Sequence, residues 1–303
     1  MIETSWNNHY RIGYDERWFG MRQTPHDVLH IGVAGTQRRP SGFSTECVNS
    51  ARLMTERYGQ ENIAVLYSGG RDSEIIALSF IGYGIVPRLI FLDYDGSNAY
   101  DKKKALEFCA YYNLELEVRP MPVTEMLSSG EAVEVAGRYQ CGQVGLAFYL
   151  KALEELCKDY YVVTGDEPYI EYVSNPVTRV WEWSFFVREA FYSLWKVFVK
   201  NERDGCPNFI QYTPESWIAF WDDPHIQWLL NQKVFTHSNQ VKYDLYRARF
   251  FTKDRTKSTG MELLAPKIIE ANRQLMQAFP LCSTEEVKVP FRYVYGQLTR
   301  YLP

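Results

Sequence analysis

Nothing in these 303 residues approaches the ~20 consecutive apolar residues that cross a bilayer, so no membrane span and no membrane partner are expected. The amino terminus, Met1-Ile2-Glu3-Thr4-Ser5-Trp6, lacks the basic start and apolar stretch of an export signal. Cysteine is scarce and scattered, at 47, 109, 141, 157, 206 and 282, with no Cys-x-x-Cys pair, so zinc knuckles and iron-sulfur clusters lack their usual ligands. In a chain too large to need disulfide staples, reduced thiols and a cytoplasmic location are the expectation. Basic charge is not in excess either. With 33 Lys+Arg against 37 Asp+Glu the net charge is -4, which indicates no global attraction to nucleic acid. No Gly-x-Ser-x-Gly elbow gathers a serine nucleophile. His26-Asp27-Val28-Leu29-His30 imitates a zinc helix, but aspartate stands where the general-base glutamate is needed, and Pro25 with Ile31-Gly32 frames a short segment.

Apolar patterning is what the chain has in abundance, at 46% hydrophobic and 23% charged residues. Cys47, Ala51, Met54 and Tyr58 recur at helical steps. Ile63 to Tyr67 is a β-rich run, Ser73 to Gly82 an apolar helix, and Arg88 to Asp93 a second strand. Ala105, Phe108, Cys109 and Tyr112 mark a helix face, Leu114 to Arg119 a third strand, Leu146, Leu150, Leu153 and Cys157 another helix, and Tyr160 to Thr164 a fourth strand. Strands alternating with helices at this spacing predict an α/β fold, a three-layer α/β/α sandwich with a mainly parallel, Rossmann-like sheet. Residues 1-44 read as an irregular amino-terminal extension, 45-170 as the α/β domain, and 171-303 as a helical, aromatic-rich module. Aromatics make up 16% of the chain, and six of the eight tryptophans fall between Trp181 and Trp228, the compositional shift that sets this module apart. Thr213-Pro214 and Asp223-Pro224 each read as a capping residue followed by proline at the first helical position.

The most informative segment is Val65-Leu66-Tyr67-Ser68-Gly69-Gly70-Arg71-Asp72-Ser73-Glu74, a strand that enters a Ser-Gly-Gly turn and then a helix. Glycines permit close backbone approach, and the helix start offers N–H groups and the positive end of its dipole to an anion. Ser68 and Ser73 add hydroxyl donors. The lysine of the Gly-x-x-x-x-Gly-Lys-Ser/Thr phosphate loop is missing, so kinase- or GTPase-like chemistry is not predicted.

Ser68-Gly69-Gly70-Arg71-Asp72-Ser73 resembles the S-G-G-x-D-S signature of the PP-loop superfamily, the N-type ATP pyrophosphatases. That family includes asparagine, argininosuccinate, GMP and NAD synthetases as well as tRNA-thiolating enzymes. The resemblance implies a fold of the HUP type, ATP and Mg2+ as cofactors, and cleavage of ATP to AMP and pyrophosphate as an acceptor is adenylated. A nitrogen nucleophile would then displace AMP, giving a ligase-like enzyme. By the same resemblance Ser68, Gly69, Gly70, Arg71, Asp72 and Ser73 bind the nucleotide, Asp72 is also catalytic, and Asp93 and Tyr94 face its ribose or base. Gly165 stands at the end of the fourth strand, and Asp72 and Asp166 hold the metal. The pattern comes nearest to asparagine synthetase-like domains without the glutaminase part. Glu167 departs from their Gly-Ala-Asp-Glu run, and Ile2 occupies the place of their cysteine nucleophile, so ammonia or another amine would come from a separate donor. The basic segment Arg247 to Lys257 is the expected lid, with Arg255 and Lys257 closing over the triphosphate as catalytic charges. Two other readings stay open: sulfur transfer as in thiolases or phosphosulfate reductases, and a sensor that holds adenine nucleotide without turnover. The acceptor is not legible, and a homodimer is compatible with the sequence.

Overall fold

A computed structural model describes residues 10–14, 17–165, 169–174, 179, 181–232, 238–252, 260–284 and 286–299. The chain opens with three short strands, β1 (Tyr10–Tyr14), β2 (Arg17–Trp18) and β3 (Leu29–Val33), paired antiparallel in the order β2-β1-β3. Residues 1-44 are therefore not irregular throughout. Tyr10, Ile12 and Tyr14 alternate along β1 and are all buried, a period of two too short to stand out among polar neighbours.

The α/β body follows in chain order: α1 (Phe43–Tyr58), β4 (Ile63–Leu66), α2 (Arg71–Tyr83), β5 (Arg88–Asp93), α3 (Ala99–Tyr112), β6 (Leu116–Pro120), α4 (Val123–Ser129), α5 (Glu131–Arg138), α6 (Ala147–Leu156) and β7 (Tyr161–Val163). Beyond it come β8 (Tyr169–Ser174), β9 (Trp181–Arg188), α7 (Glu189–Lys200), β10 (Gly205–Cys206), α8 (Pro214–Asp222), α9 (Pro224–Gln232), α10 (Ser238–Phe250), α11 (Met261–Ala278), β11 (Glu286–Pro290) and α12 (Phe291–Leu298).

The central sheet has the order β10-β7-β4-β5-β6, and every pairing in it is parallel. Successive residues point to opposite faces, and the core divides accordingly. Ile63, Val65, Leu89, Phe91, Tyr161 and Val163 pack with α1, α2 and α3, while Ala64, Leu66, Ile90, Leu92 and Val162 pack with α4 to α7. The protein is thus an α/β fold with a parallel sheet between helical layers and a largely helical carboxyl-terminal region. Two features of that region depart from a purely helical reading. β10, only two residues long, joins the central sheet beside β7, and β8, β9 and β11 form an antiparallel sheet of order β11-β9-β8. The tryptophans expected on helices are divided, with Trp181 and Trp183 on β9 and Trp217 and Trp221 on α8.

Thr213 closes a capping box with Ser216 at the start of α8, and Asp223 accepts from the His225 amide at 2.9 Å at the start of α9. Trp217 and Trp221 are fully buried, and Phe43 packs edge-on against Phe220 at 5.4 Å. Among the described residues, no helix is long and apolar enough to cross a membrane.

Candidate active site

The carboxyl ends of parallel strands collect ligands in open α/β sheets because helix starts and loops gather there. Here β4 runs into Tyr67, whose amide still donates to the Ile90 carbonyl at 2.8 Å, and then into the Ser-Gly-Gly turn. Gly69 has φ of +71°, and a Cβ there would lie 2.6 Å from the Asp101 carbonyl oxygen and 3.3 Å from the Ala105 nitrogen. Both the left-handed backbone and the contact with the first turn of α3 demand glycine. The turn is braced from within. The Ser68 amide donates to Ser73 Oγ at 3.2 Å, the Gly70 amide to Ser68 Oγ at 3.3 Å, and Ser73 Oγ donates to the Gly70 carbonyl at 2.9 Å. Gly70 is the N-cap of α2, and no side chain caps that helix. The start of α2 thus meets the cleft with Asp72 in its first turn and no side chain bonded across its leading amides.

Two further segments meet this loop. At the end of β7, Thr164 is tied to the segment after β10: its amide donates to Cys206 at 2.8 Å and its hydroxyl to Pro207 at 2.6 Å. Gly165 then passes so close to α2 that a Cβ would sit 2.9 Å from Ile76 Cδ1. At the end of β5, Asn98 holds the turn in place, accepting from the Tyr94 amide at 3.0 Å and donating to the Leu92 carbonyl at 2.8 Å.

A cavity of about 370 Å³ opens among these elements, within the usual range for small-molecule sites. Of the residues expected from sequence, Ser68, Gly70, Arg71, Asp72, Ser73, Tyr94 and Gly165 line it together. Gly69 stands behind the loop against α3. Asp93 is not in the lining. Lys102 grips its carboxylate at 2.7 Å and the Gly96 amide donates to it at 2.8 Å, and these contacts hold Asp93 below the usual carboxylate range. Burial pushes the Tyr94 phenol above its ordinary value, so it faces the cavity as a neutral hydroxyl. Asp166, Arg255 and Lys257 lie outside the described residues.

The sequence reading missed α10. Lys242, only 1% exposed, reaches Asp72 Oδ1 at 2.8 Å, and Tyr246 donates to the same oxygen at 3.2 Å. Arg71 stacks on Tyr243 with its guanidinium 4.6 Å from the ring centre. One helix from the carboxyl-terminal region thus supplies a lysine and two tyrosines to the loop. The signal was present: Lys242, Leu245 and Tyr246 fall at helical steps of three and four on the buried face, where a lysine is out of place unless it has a charged partner.

Asp72 borders the cavity beside the loop and is partly exposed, which suits a cation held mainly by phosphates and water. Among the described residues no cluster of three metal-ligating side chains occurs, so an all-protein metal cage is not built from them.

No family model and no curated protein matches the chain. Among solved structures, the chain is similar to a predicted subunit of tRNA methyltransferase from Methanocaldococcus jannaschii, at 17% identity over 48% of this chain with a TM-score of 0.30. It spans 66% of that protein's length. It is also similar to NMN synthetase from Francisella tularensis, at 15% identity over 78% of this chain and 92% of the other, with a TM-score of 0.34.

Proposed function

We propose that the protein is an adenylating enzyme of PP-loop type that binds ATP at the Ser68 to Ser73 loop and cuts it between the α and β phosphates. The observation that carries this reading is the loop itself. A strand end, a glycine turn forced against α3 and a helix start without a side-chain cap open together on one cavity, with Arg71 and the buried Lys242 beside it. Adenine fits against the apolar ends of β4 and β5, where Leu66, Ile90 and Leu92 line the wall, and Tyr94 and Asn98 stand near the ribose. The β and γ phosphates then meet the loop amides and the hydroxyls of Ser68 and Ser73.

An acceptor oxygen attacks the α phosphorus. The new P–O bond forms as the α–β bond breaks, and its electron pair leaves with pyrophosphate into the loop. Charge grows on the departing oxygens, and the α2 dipole, Arg71 and Lys242 are already placed to oppose it. Magnesium would be held by Asp72, with Asp166 as the second carboxylate that the resemblance implies, and would supply further neutralisation of the phosphates. Arg255 and Lys257 are the further cations proposed to oppose the charge of the outer phosphates. A nitrogen nucleophile, free or delivered by another chain, completes the C–N bond.

Sulfur transfer is disfavoured by the state of the thiols. All six cysteines are buried, and burial lifts those of Cys141 and Cys157 and raises Cys282 to about 12, away from the reactive thiolate. Product analysis by ion-pair chromatography with ATP and candidate acceptors tests the reading: AMP and pyrophosphate are expected, and ADP with phosphate would overturn it.

A further inference from the structure

Among the described residues, both donors to Asp72 meet the same carboxylate oxygen: Lys242 Nζ reaches Oδ1 at 2.8 Å and Tyr246 Oη at 3.2 Å. They lie four apart on α10, so they rise from one face of that helix and converge on one acceptor. A carboxylate accepts through either oxygen, so two donors crowded on Oδ1 favour Oδ2 as the oxygen to meet a cation. The residue before it is held by the same helix. Arg71 stacks on Tyr243 with its guanidinium 4.6 Å from the ring centre, so α10 sets two consecutive side chains of the loop.

The two donors to Asp72 differ in what they can do. Lys242 carries a compact charge on a flexible stem, and that charge is attracted by phosphate as well as by carboxylate. Tyr246 carries its hydroxyl on a rigid ring. The ring is fully buried, stacks on Phe43 of α1 with centroids 6.3 Å and planes 11° apart, and lies 6.3 Å from the Tyr243 ring. A ring packed in this way cannot follow a ligand, so its hydroxyl is a fixed point beside the loop.

We propose that Tyr246 is a positioning residue: its hydroxyl keeps Asp72 turned so that Oδ2 meets a divalent cation on the phosphates, and it does so even when Lys242 turns from Asp72 toward phosphate charge. The inference rests on the adenylation reading above, in which Asp72 holds magnesium. Partners that orient a metal-ligating carboxylate typically cost about 10–100-fold in metal affinity when removed. Lys242 has the contrary effect, because its ammonium competes with the cation for the same carboxylate. Removing the hydroxyl therefore weakens the metal's hold, and removing the ammonium does not.

Calorimetry tests this without turnover. The affinity for α,β-methylene ATP is measured in EDTA and again in saturating Mn2+, and the gain between the two reads the metal's contact with the protein. Absence of analogue binding to the wild type under both conditions would count against the adenylation reading itself. Tyr246→Phe removes one oxygen from a packed ring. It is expected to leave the affinity in EDTA unchanged and to cut the Mn2+ gain by about tenfold or more. Lys242→Met is expected to keep the gain. A merely structural hydroxyl would lower the urea midpoint of Tyr246→Phe and leave its gain intact. An intact gain in folded Tyr246→Phe, a wild type that binds the analogue with no gain, or a gain lost in Lys242→Met would each overturn the proposal.

Discussion

Two lysines on carboxyl-terminal helices are each 1% exposed, and their surroundings differ in a way that separates chemistry from architecture. Lys242 pairs with Asp72, whose side chain is 15% exposed and borders the cavity. Lys196 is enclosed. It donates to Tyr14 Oη at 3.3 Å and lies 4.8 Å over the Tyr192 ring, while Tyr14 in turn donates to Glu189. Arg22 meets Glu189 through two bonds, at 2.8 and 3.2 Å, with the carboxylate fully buried. Gln140 exchanges two hydrogen bonds with the Arg22 backbone, both at 2.7 Å. This second cluster joins β1, the segment after β2, α7 and the end of α5, and none of its residues lines the cavity at the loop. Burial of charge therefore does not mark a site by itself. A buried pair whose free edge meets a ligand-sized space does.

Breaking the closed cluster is expected to have the largest effect on stability. Glu189→Ala leaves Arg22 and Lys196 buried without their carboxylate, and removing one partner of such a group costs about 3–5 kcal/mol. Urea unfolding measures it, and a loss no larger than that of a surface substitution would remove the cluster's role as a pin. At the open pair the effect falls on turnover. Ser68→Ala and Asp72→Asn are each expected to lower pyrophosphate formation on the order of tenfold to a thousandfold. Asp72→Asn also deprives Lys242 of its counter-charge, so adding Lys242→Met should restore stability without restoring turnover. Recovery of both would make the open pair as architectural as the closed one.

A smaller, pH-dependent difference sharpens the contrast. Burial lowers Lys196 from 10.5 to about 8, against the pull of Glu189, Cys141 and Cys282 and with repulsion from Arg22. The folded chain releases this proton first, so between those values the unfolded chain binds more protons and stability from this group rises with pH. It is lost as pH falls through about 8. Tyr14 and Tyr192, raised by burial, act in the opposite sense once unfolded tyrosine ionises. Comparing urea midpoints of the wild type and Lys196→Met at pH 7 and 9 isolates the lysine: the variant's relative advantage should shrink as pH rises, and a constant gap would contradict the assignment. The smallest effect belongs to the thiols beside this cluster. Cys141→Ser and Cys282→Ser should keep turnover, and its loss in a folded variant with nucleotide binding intact would revive sulfur transfer.

The central sheet and its loop were legible because their signals are local. Ile63 to Leu66 and Arg88 to Asp93 are compact apolar runs between helices, and Ser68 to Ser73 places its glycines, hydroxyls and helix start within one short stretch. What escaped was non-local. β10 is the pair Gly205–Cys206, too short for any period, and belongs to the sheet only through its parallel pairing with Val162 and Val163. β8 and β9 pass through an aromatic-rich region whose tryptophans suit strand or helix equally well. Lys242 meets Asp72 across most of the chain. Asp93 shows the converse: a carboxylate at a strand end serves a ligand or a local turn equally well, and no local pattern announces its contacts with Lys102 and Gly96.

The most direct test of the central claim is a crystal structure with α,β-methylene ATP and magnesium bound. The account predicts the β and γ phosphates within hydrogen-bond distance of the Ser68 to Ser73 amides and hydroxyls, with adenine against Leu66, Ile90 and Leu92. A nucleotide seated elsewhere, or one whose base rather than its phosphates occupies the loop, would contradict it.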